Sequence, residues 1–182
     1  MCFENNFYVS LNYQKMKKYL FVAMAALLVV FASCKGKGTE TKTENVKIPE
    51  TFVTYENENF SIQYPGDMEV TWSTGFLNAR TDDTEAQLDA SFSDMAPEVS
   101  QLKKYAENLA YMYKNNGETC EDPKVKDKVM TMRTTNGDFT RDAFIVLDGN
   151  GNAVSGSLQY TKNKAAEYEA YFAPLVASVK FK

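Results

Sequence analysis

Histidine is missing from this 182-residue chain, and its absence excludes a large share of protein chemistry. It removes the commonest general base, the commonest metal ligand and the usual physiological pH switch, so Ser-His-Asp, Cys-His and histidine-based zinc sites are ruled out. Cysteine is nearly as scarce. Of the three present, Cys2 and Cys34 fall in or at the edge of an export segment and only Cys120 is left for the folded part. Neither an intramolecular disulfide nor a cysteine zinc site can form there. Concentrated positive charge is lacking too. Residues 1–33 hold three bases (Lys15, Lys17, Lys18) and one acid (Glu4); taking these from the 20 and 24 of the whole chain leaves 17 basic against 23 acidic side chains and a formal charge of −6. Phosphate backbones need a basic surface, so no nucleic-acid partner is expected, and a broad grip on anionic lipid headgroups is disfavoured by the same argument.

What is present describes a folded protein. Hydrophobic residues make up 44% of the chain and charged residues 24%, with 12 Phe and 11 Tyr as bulky core material; these proportions are globular, not disordered or fibrous. Domains usually run to about 100–150 residues, so one core plus a targeting segment is expected.

The targeting segment starts at Met16. Lys17 and Lys18 supply positive charge, Tyr19 to Ala32 is an apolar run, and Phe31-Ala32-Ser33-Cys34 closes it with small residues before a cysteine. That order is the grammar of a signal peptide over 16–33, and a run of about 14 apolar residues is shorter than the roughly 20 a membrane-spanning helix needs. Residues 1–15, rich in Asn, fit neither a signal peptide nor a domain; they are read as an over-long start before the true one at Met16, or as an extension. Phe31-Ala32-Ser33-Cys34 resembles the lipobox of bacterial lipoproteins, with Phe31 in place of the usual Leu. The resemblance implies a lipid (thioether diacylglycerol and an acyl chain such as palmitate) on Cys34, cleavage before it, and attachment to a membrane. Multiple acyl chains anchor stably where one holds marginally. Residues 34–47 are Lys, Gly, Thr and Glu with almost nothing apolar, a solvated tether. By resemblance to lipoprotein sorting signals, Lys35 directly after the cysteine implies the outer membrane, facing the periplasm.

The remaining stretch, 48–182, reads as one domain. Residues 51–55 and 60–64 alternate with period two around an Asn-Glu-Asn turn, which predicts a β-hairpin. Further strands are predicted at 68–73, 76–80, 87–93, 128–133, 139–147 and 153–161, with 178–182 as a short final one. Pro97 and Glu98 open a helix in which Leu102, Tyr105, Ala106, Leu109, Met112 and Tyr113 share a face and which should stop at Gly117. A second helix is predicted over 164–176, with Tyr168, Tyr171, Phe172 and Leu175 on one side. Several strands, helix, several strands, helix is the order of an α+β domain with an antiparallel β-sheet covered by helices.

Candidate sites are few. Asp148-Gly-Asn150-Gly-Asn152 matches the start of a calcium loop, but Ala153 and Gln159 stand where the glycine and bidentate glutamate belong, so a hairpin turn is the better reading. Asp82, Asp83 and Glu85 offer hard oxygen ligands or an acid–base pair, yet they sit in a predicted turn. Cys120 has no histidine to activate it. Tyr64, Trp72, Phe76, Tyr111 and Tyr113 are the aromatics offered as ligand-facing, since such rings line binding clefts. No catalytic, cofactor or metal residue is nominated and no cofactor is expected.

Two ends of the domain resemble a known family. Asn59-Phe-Ser-Ile-Gln-Tyr-Pro-Gly66, with Trp72 soon after, resembles the opening strand of PsbP-like domains. Phe172-Ala-Pro-Leu-Val-Ala-Ser-Val-Lys-Phe181 resembles their closing helix and last strand. The resemblance spans 52–182 and implies an α/β/α sandwich, the fold shared by the photosystem accessory protein and the Ran-binding Mog proteins. That fold hosts unrelated functions and carries no activity across. The expectation is therefore a non-catalytic binding or assembly module in the envelope, with an envelope protein or a glycan as its partner. The alternative is a carboxylate-based or metal-assisted hydrolase of envelope polymers.

Overall fold

A computed structural model describes residues 46–182. The signal segment, Cys34 and the tether up to residue 45 lie outside the described residues. Strands β1 (Phe52–Glu56) and β2 (Phe60–Pro65) pair antiparallel from Phe52↔Pro65 to Glu56↔Ser61. Their turn is closed by Asn57, whose Oδ1 accepts from the amides of Asn59 and Phe60, both at 2.9 Å; a side chain that mimics a backbone turn is why Asn is favoured there. Phe60, Ile62 and Tyr64 alternate inward as the pattern predicts.

Five strands and a helix follow: β3 (Glu69–Trp72), β4 (Phe76–Arg80), β5 (Ala86–Ser93), α1 (Leu102–Asn115), β6 (Thr119–Cys120) and β7 (Lys124–Lys126). Then come β8 (Val129–Asn136), β9 (Phe139–Leu147), β10 (Ala153–Thr161), α2 (Ala165–Ala177) and β11 (Lys180–Phe181). The strands form an eight-stranded antiparallel sheet in the order β3-β4-β5-β10-β9-β8-β6, with β7 also on β8, and a three-stranded sheet β1-β2-β11. The α+β class is thus observed, with the difference that the opening hairpin and the last strand form a sheet of their own. The helix predicted from Pro97 begins with a 3-10 turn at Val99–Gln101, and no side chain caps the α-helical start at Leu102.

The two faces of the large sheet carry separate cores. On one, Leu77, Ala79, Leu88, Ala90, Phe144, Val154, Leu158 and Tyr160 pack against the small sheet and against Tyr168 and Leu175 of α2. On the other, Leu102, Ala106 and Ala110 of α1, spaced four apart on one stripe, pack on Met130, Met132, Ile145, Leu147 and Ala153. Each fully buried large apolar side chain stabilises the fold by roughly 1.5–3 kcal/mol.

The α2 face holds one buried charge. Asp142 is 2% exposed; Arg133 donates to it twice (Nε 2.7 Å, Nη2 2.9 Å), and the Tyr160 hydroxyl donates at 2.7 Å. Glu169 of α2 also pairs with Arg133. The carboxylate raises the pKa of both Arg133 and Tyr160; for Tyr160 burial acts first in the same direction. The carboxylate is buried because it is bonded on both oxygens.

Candidate functional site

Antiparallel partners project to the same side of a sheet, so the pairing registers give the α1 face row by row. One row reads Thr134, Arg141, Gln159, Gln87, Arg80, Glu69 from β8 across to β3; the next reads Met132, Ala143, Ser157, Asp89, Asn78, Trp72; a third reads Met130, Ile145, Ser155, Ser91, Phe76. Helix α1 covers the first, apolar part of the lower two rows. Beyond it Gln87, Ser91, Arg80, Phe76 and Trp72 are exposed. The face is therefore half roofed and half open, and the open half is floored by short polar side chains.

The end of α1 builds the boundary between the halves. Gly117 takes φ +84°, its amide donates to the Lys114 carbonyl and that of Glu118 to Tyr113, both at 3.1 Å. This is the Schellman closure that glycine permits, and it turns Glu118 back toward the sheet. There Arg141 Nη1 meets Glu118 at 3.0 Å, Thr134 Oγ1 donates to Glu118 at 2.6 Å, and Arg141 Nη2 donates to Gln159 at 3.2 Å. The Arg141 guanidinium lies 5.4 Å from the centre of the Tyr113 ring, a cation–π distance. A cleft of about 220 Å³ opens here, lined by Glu118, Thr134, Asn136, Phe139, Arg141 and Gln159.

Asp89 stands half-buried in the middle row, within electrostatic reach of Tyr113 at the margin of the helix. Ser157 Oγ donates to it at 2.7 Å. Burial raises its carboxyl above the usual range, against the hydrogen bond from Ser157 and the charge of Arg141. Burial likewise raises the Tyr113 phenol. Nothing in the sequence singled out Asp89, Ser157, Arg141 or Glu118; in an alternating strand they read as ordinary outward positions.

The five nominated aromatics do not share one surface. Tyr64 is 6% exposed in the core beneath the small sheet, and Tyr111 is 65% exposed on the outer side of α1. Tyr113 turns inward beneath Arg141. Trp72 and Phe76 do come together, on adjacent strands of the open half, with ring centres 6.2 Å apart and planes 14° from parallel. They remain 58% and 39% exposed.

The other candidates are engaged locally. Asp148 Oδ1 accepts from the amides of Asn150 (2.6 Å) and Asn152 (3.0 Å), and Oδ2 from the Asn152 side chain (2.6 Å), which closes the β9–β10 hairpin. Partial burial pushes the Asp148 carboxyl up, but these hydrogen bonds together outweigh it and hold the group below its ordinary value. Asp83 accepts from Thr81 Oγ1 at 2.6 Å and the Glu85 amide at 3.0 Å, and Lys164 is 3.2 Å away; its pKa falls to about 2. Cys120 is half-buried, donates to the Glu121 carbonyl at 3.3 Å, and has its thiol pKa raised by burial. Among the described residues no three of Cys, Asp and Glu meet as a metal site, and no helix is long and apolar enough to cross a membrane.

The fold places the domain in an architectural class, the α+β fold seen in Mog1 proteins. Solved structures similar to it include a Mog1 variant (TM-score 0.51, 8% identity, covering 71% of this chain and 95% of that one). They also include the Ran-binding protein Mog1p of Saccharomyces cerevisiae (TM-score 0.50, 10% identity, covering 71% and 94%). The cyanobacterial PsbP of Synechocystis sp. PCC 6803 aligns over 83% of this chain and 98% of its own, at 12% identity and a TM-score of 0.48. No protein-family model matches the chain, and no curated protein does. At these identities the likeness is one of fold, and the function has to be argued from the site.

Proposed function

We propose that this chain is a bacterial envelope lipoprotein, anchored through Cys34 to the outer membrane and facing the periplasm, whose domain is a non-catalytic binding or assembly module. The observation that carries the binding role is the open half of the α1 face, where an exposed aromatic pair adjoins a floor of hydrogen-bonding side chains. Exposed aromatic surface rimmed by polar groups marks interaction sites. One fold neighbour is by name a Ran-binding protein, so the architecture is compatible with recognition without chemistry. The hydrolase alternative needs one carboxyl free to donate a proton and one to act as base or nucleophile. On this face Asp89 has the raised pKa of an acid, but Glu118 at the cleft is engaged by both Arg141 and Thr134, so the pair is incomplete.

Two measurements test the proposal. Intact-mass analysis of the full chain from bacterial membranes should give an acylated amino terminus at Cys34, and Cys34→Ser should lose the acyl mass and leave the membrane fraction. An unmodified terminus at Met1 or Met16 would sink the anchor. A photo-crosslinking residue at Ser91, on the open floor, should form a discrete adduct in intact cells, while one at Lys103, on the outer side of α1, should not. Absence of any Ser91 adduct overturns the binding role.

A further inference from the structure

We propose that the open half of the α1 face binds an uncharged glycan chain, with sugar rings stacked on Trp72 and Phe76 and hydroxyls bonded by Asn78, Asp89 and Ser157. The inference rests on the reading of this face as a binding surface and adds the class of ligand.

The first argument is the aromatic pair. Trp72 and Phe76 touch each other with near-parallel planes, yet both keep much of their surface in water. Large rings are normally buried, because each removes 150–250 Å² from solvent. A near-parallel pair left exposed at the surface offers apolar ring area, and a sugar ring has an apolar C–H face of matching size with hydroxyls around its edge.

The second argument is what lies beside the aromatic pair. In the same cross-strand row as Trp72 stand Asn78, Asp89 and Ser157, and in the row of Phe76 stand Ser91 and Ser155. Asp89 accepts from Ser157 at 2.7 Å and Asn78 Oδ1 from Thr71 Oγ1 at 2.6 Å, but carboxylate and amide groups have further hydrogen-bonding capacity that hydroxyls can use and an acyl chain or an apolar helix cannot. The next row leads through Gln87 and Gln159 to the Arg141 cleft. From β4 to β9 is three strand spacings, roughly 14 Å, room for several sugar units laid across the strands.

Charge settles the rest. Arg141 is paired with Glu118, and Arg80 stands opposite Glu69, so Asp89 leaves the face slightly acidic. An anionic polymer would meet no surplus of positive charge. An extended peptide adding to the sheet would use β3, its edge strand, but the register of β3 breaks between Val70 and Trp72, and such bulges blunt an edge against strand addition.

Trp72 is the single tryptophan of the chain, so its fluorescence reports this site alone. The experiment titrates the full chain, in a detergent without sugar headgroups, with oligosaccharides of glucose, mannose, xylose and N-acetylglucosamine. At least one should change Trp72 emission saturably. Phe76→Ala should weaken that binding by about tenfold or more, as should Trp72→Ala read by calorimetry. Asn78→Ala should weaken it by less, and Tyr111→Ala should leave it unchanged. Circular dichroism confirms that each variant is folded. No saturable change with any of the four sugars overturns the inference, as does wild-type affinity in a folded Phe76→Ala. A Ser91 crosslink adduct that resolves by mass spectrometry into peptides of a second protein and that glycosidases do not shorten would assign the face to a protein partner, overturning the glycan while keeping the binding role. If neither sugar nor adduct is seen, both fall.

Discussion

The two faces of the large sheet use the same strands for opposite ends. Under α2 and the small sheet the surface is sealed: its core is apolar or aromatic, and its buried carboxylate, Asp142, is bonded by Arg133 and Tyr160. Under α1 the seal reaches only β8, β9 and the start of β10, and the carboxylate of the open part, Asp89, receives a single serine hydroxyl from a side chain. A strand alternates its side chains between both faces, so β5 and β10 present Leu88, Ala90 and Leu158 to the sealed side and Asp89, Ser91 and Ser157 to the open one. Stability and the proposed recognition thereby fall to alternate residues of the same strands, and substitutions can separate them.

The largest effect is expected on the sealed face. Asp142→Ala leaves Arg133 and Tyr160 without their shared acceptor, and breaking a buried pair by removing one partner costs about 3–5 kcal/mol. The measurement is urea denaturation of the full chain. A loss under about 1 kcal/mol would show the network to be solvated and the sealed face less sealed than described.

The next concerns where the faces meet. A Cβ on Gly156 would lie 2.1 Å from the Asp89 carbonyl oxygen and 2.9 Å from the Ala90 Cα. Both are backbone atoms of the paired strand, so no rotamer can make room. Gly156→Ala should destabilise by about 1–3 kcal/mol through overpacking, and because it pushes on Asp89 it should also disturb the open face. Wild-type stability in this variant would mean that β5 and β10 can part without cost.

How much of this was legible in the sequence depends on the kind of signal. Alternation placed β2 and β5 because Phe60, Ile62 and Leu88 each need an apolar face, and the Asp148–Asn152 turn marked where β9 ends and β10 begins. It could not place β6 and β7, which have two and three residues and are held as strands by pairing to β8; neither is long enough to show a period. Met112 fits the apolar stripe of α1 on spacing, yet it is 37% exposed, because the helix is narrower in contact than in pattern. At the candidate site, Trp72 and Phe76 were visible as aromatics, but their meeting follows from the β3–β4 register and its bulge. Asp89, Asn78 and Ser157 looked like solvent-side residues, and only the limited reach of α1 makes them neighbours of the aromatic pair. Asp142 did carry a signal that went unused: it shares its side of β9 with Phe144 and Val146, and a carboxylate there requires a partner.

Asp89→Asn tests the open face through pH. The folded-state pKa of Asp89 is raised, so the protonated form favours the fold; that contribution is complete below the unfolded carboxylate value near 4 and is lost as pH rises through the folded one. Asn keeps the shape without the charge. At pH 7 Asp89→Asn should therefore stabilise the domain slightly, by less than about 1 kcal/mol, and at pH 3 it should match the parent protein. A destabilised variant at pH 7 would mean that Ser157 and Arg141 together outweigh burial and that Asp89 belongs to the structure, not to a binding surface.

The smallest effect in stability is the one that separates the faces most cleanly. Trp72 is more than half exposed, its strand is an edge, and all four residues of β3 are exposed. Its burial contributes little to folding, and substitutions at such positions usually fall within about 0.5 kcal/mol of the parent. Trp72→Ala should leave the denaturation midpoint almost unmoved, while a smaller ring in the sealed core, Tyr168, would cost several times more if removed. The contrast is informative because both residues are large aromatics stacked on a neighbour, Phe76 in one case and Tyr160 in the other. If Trp72→Ala unfolded the protein, the open half would be part of the core and not a binding surface. If stability is kept, the indole contributes little to folding, and it is left free for the binding role proposed for the open half.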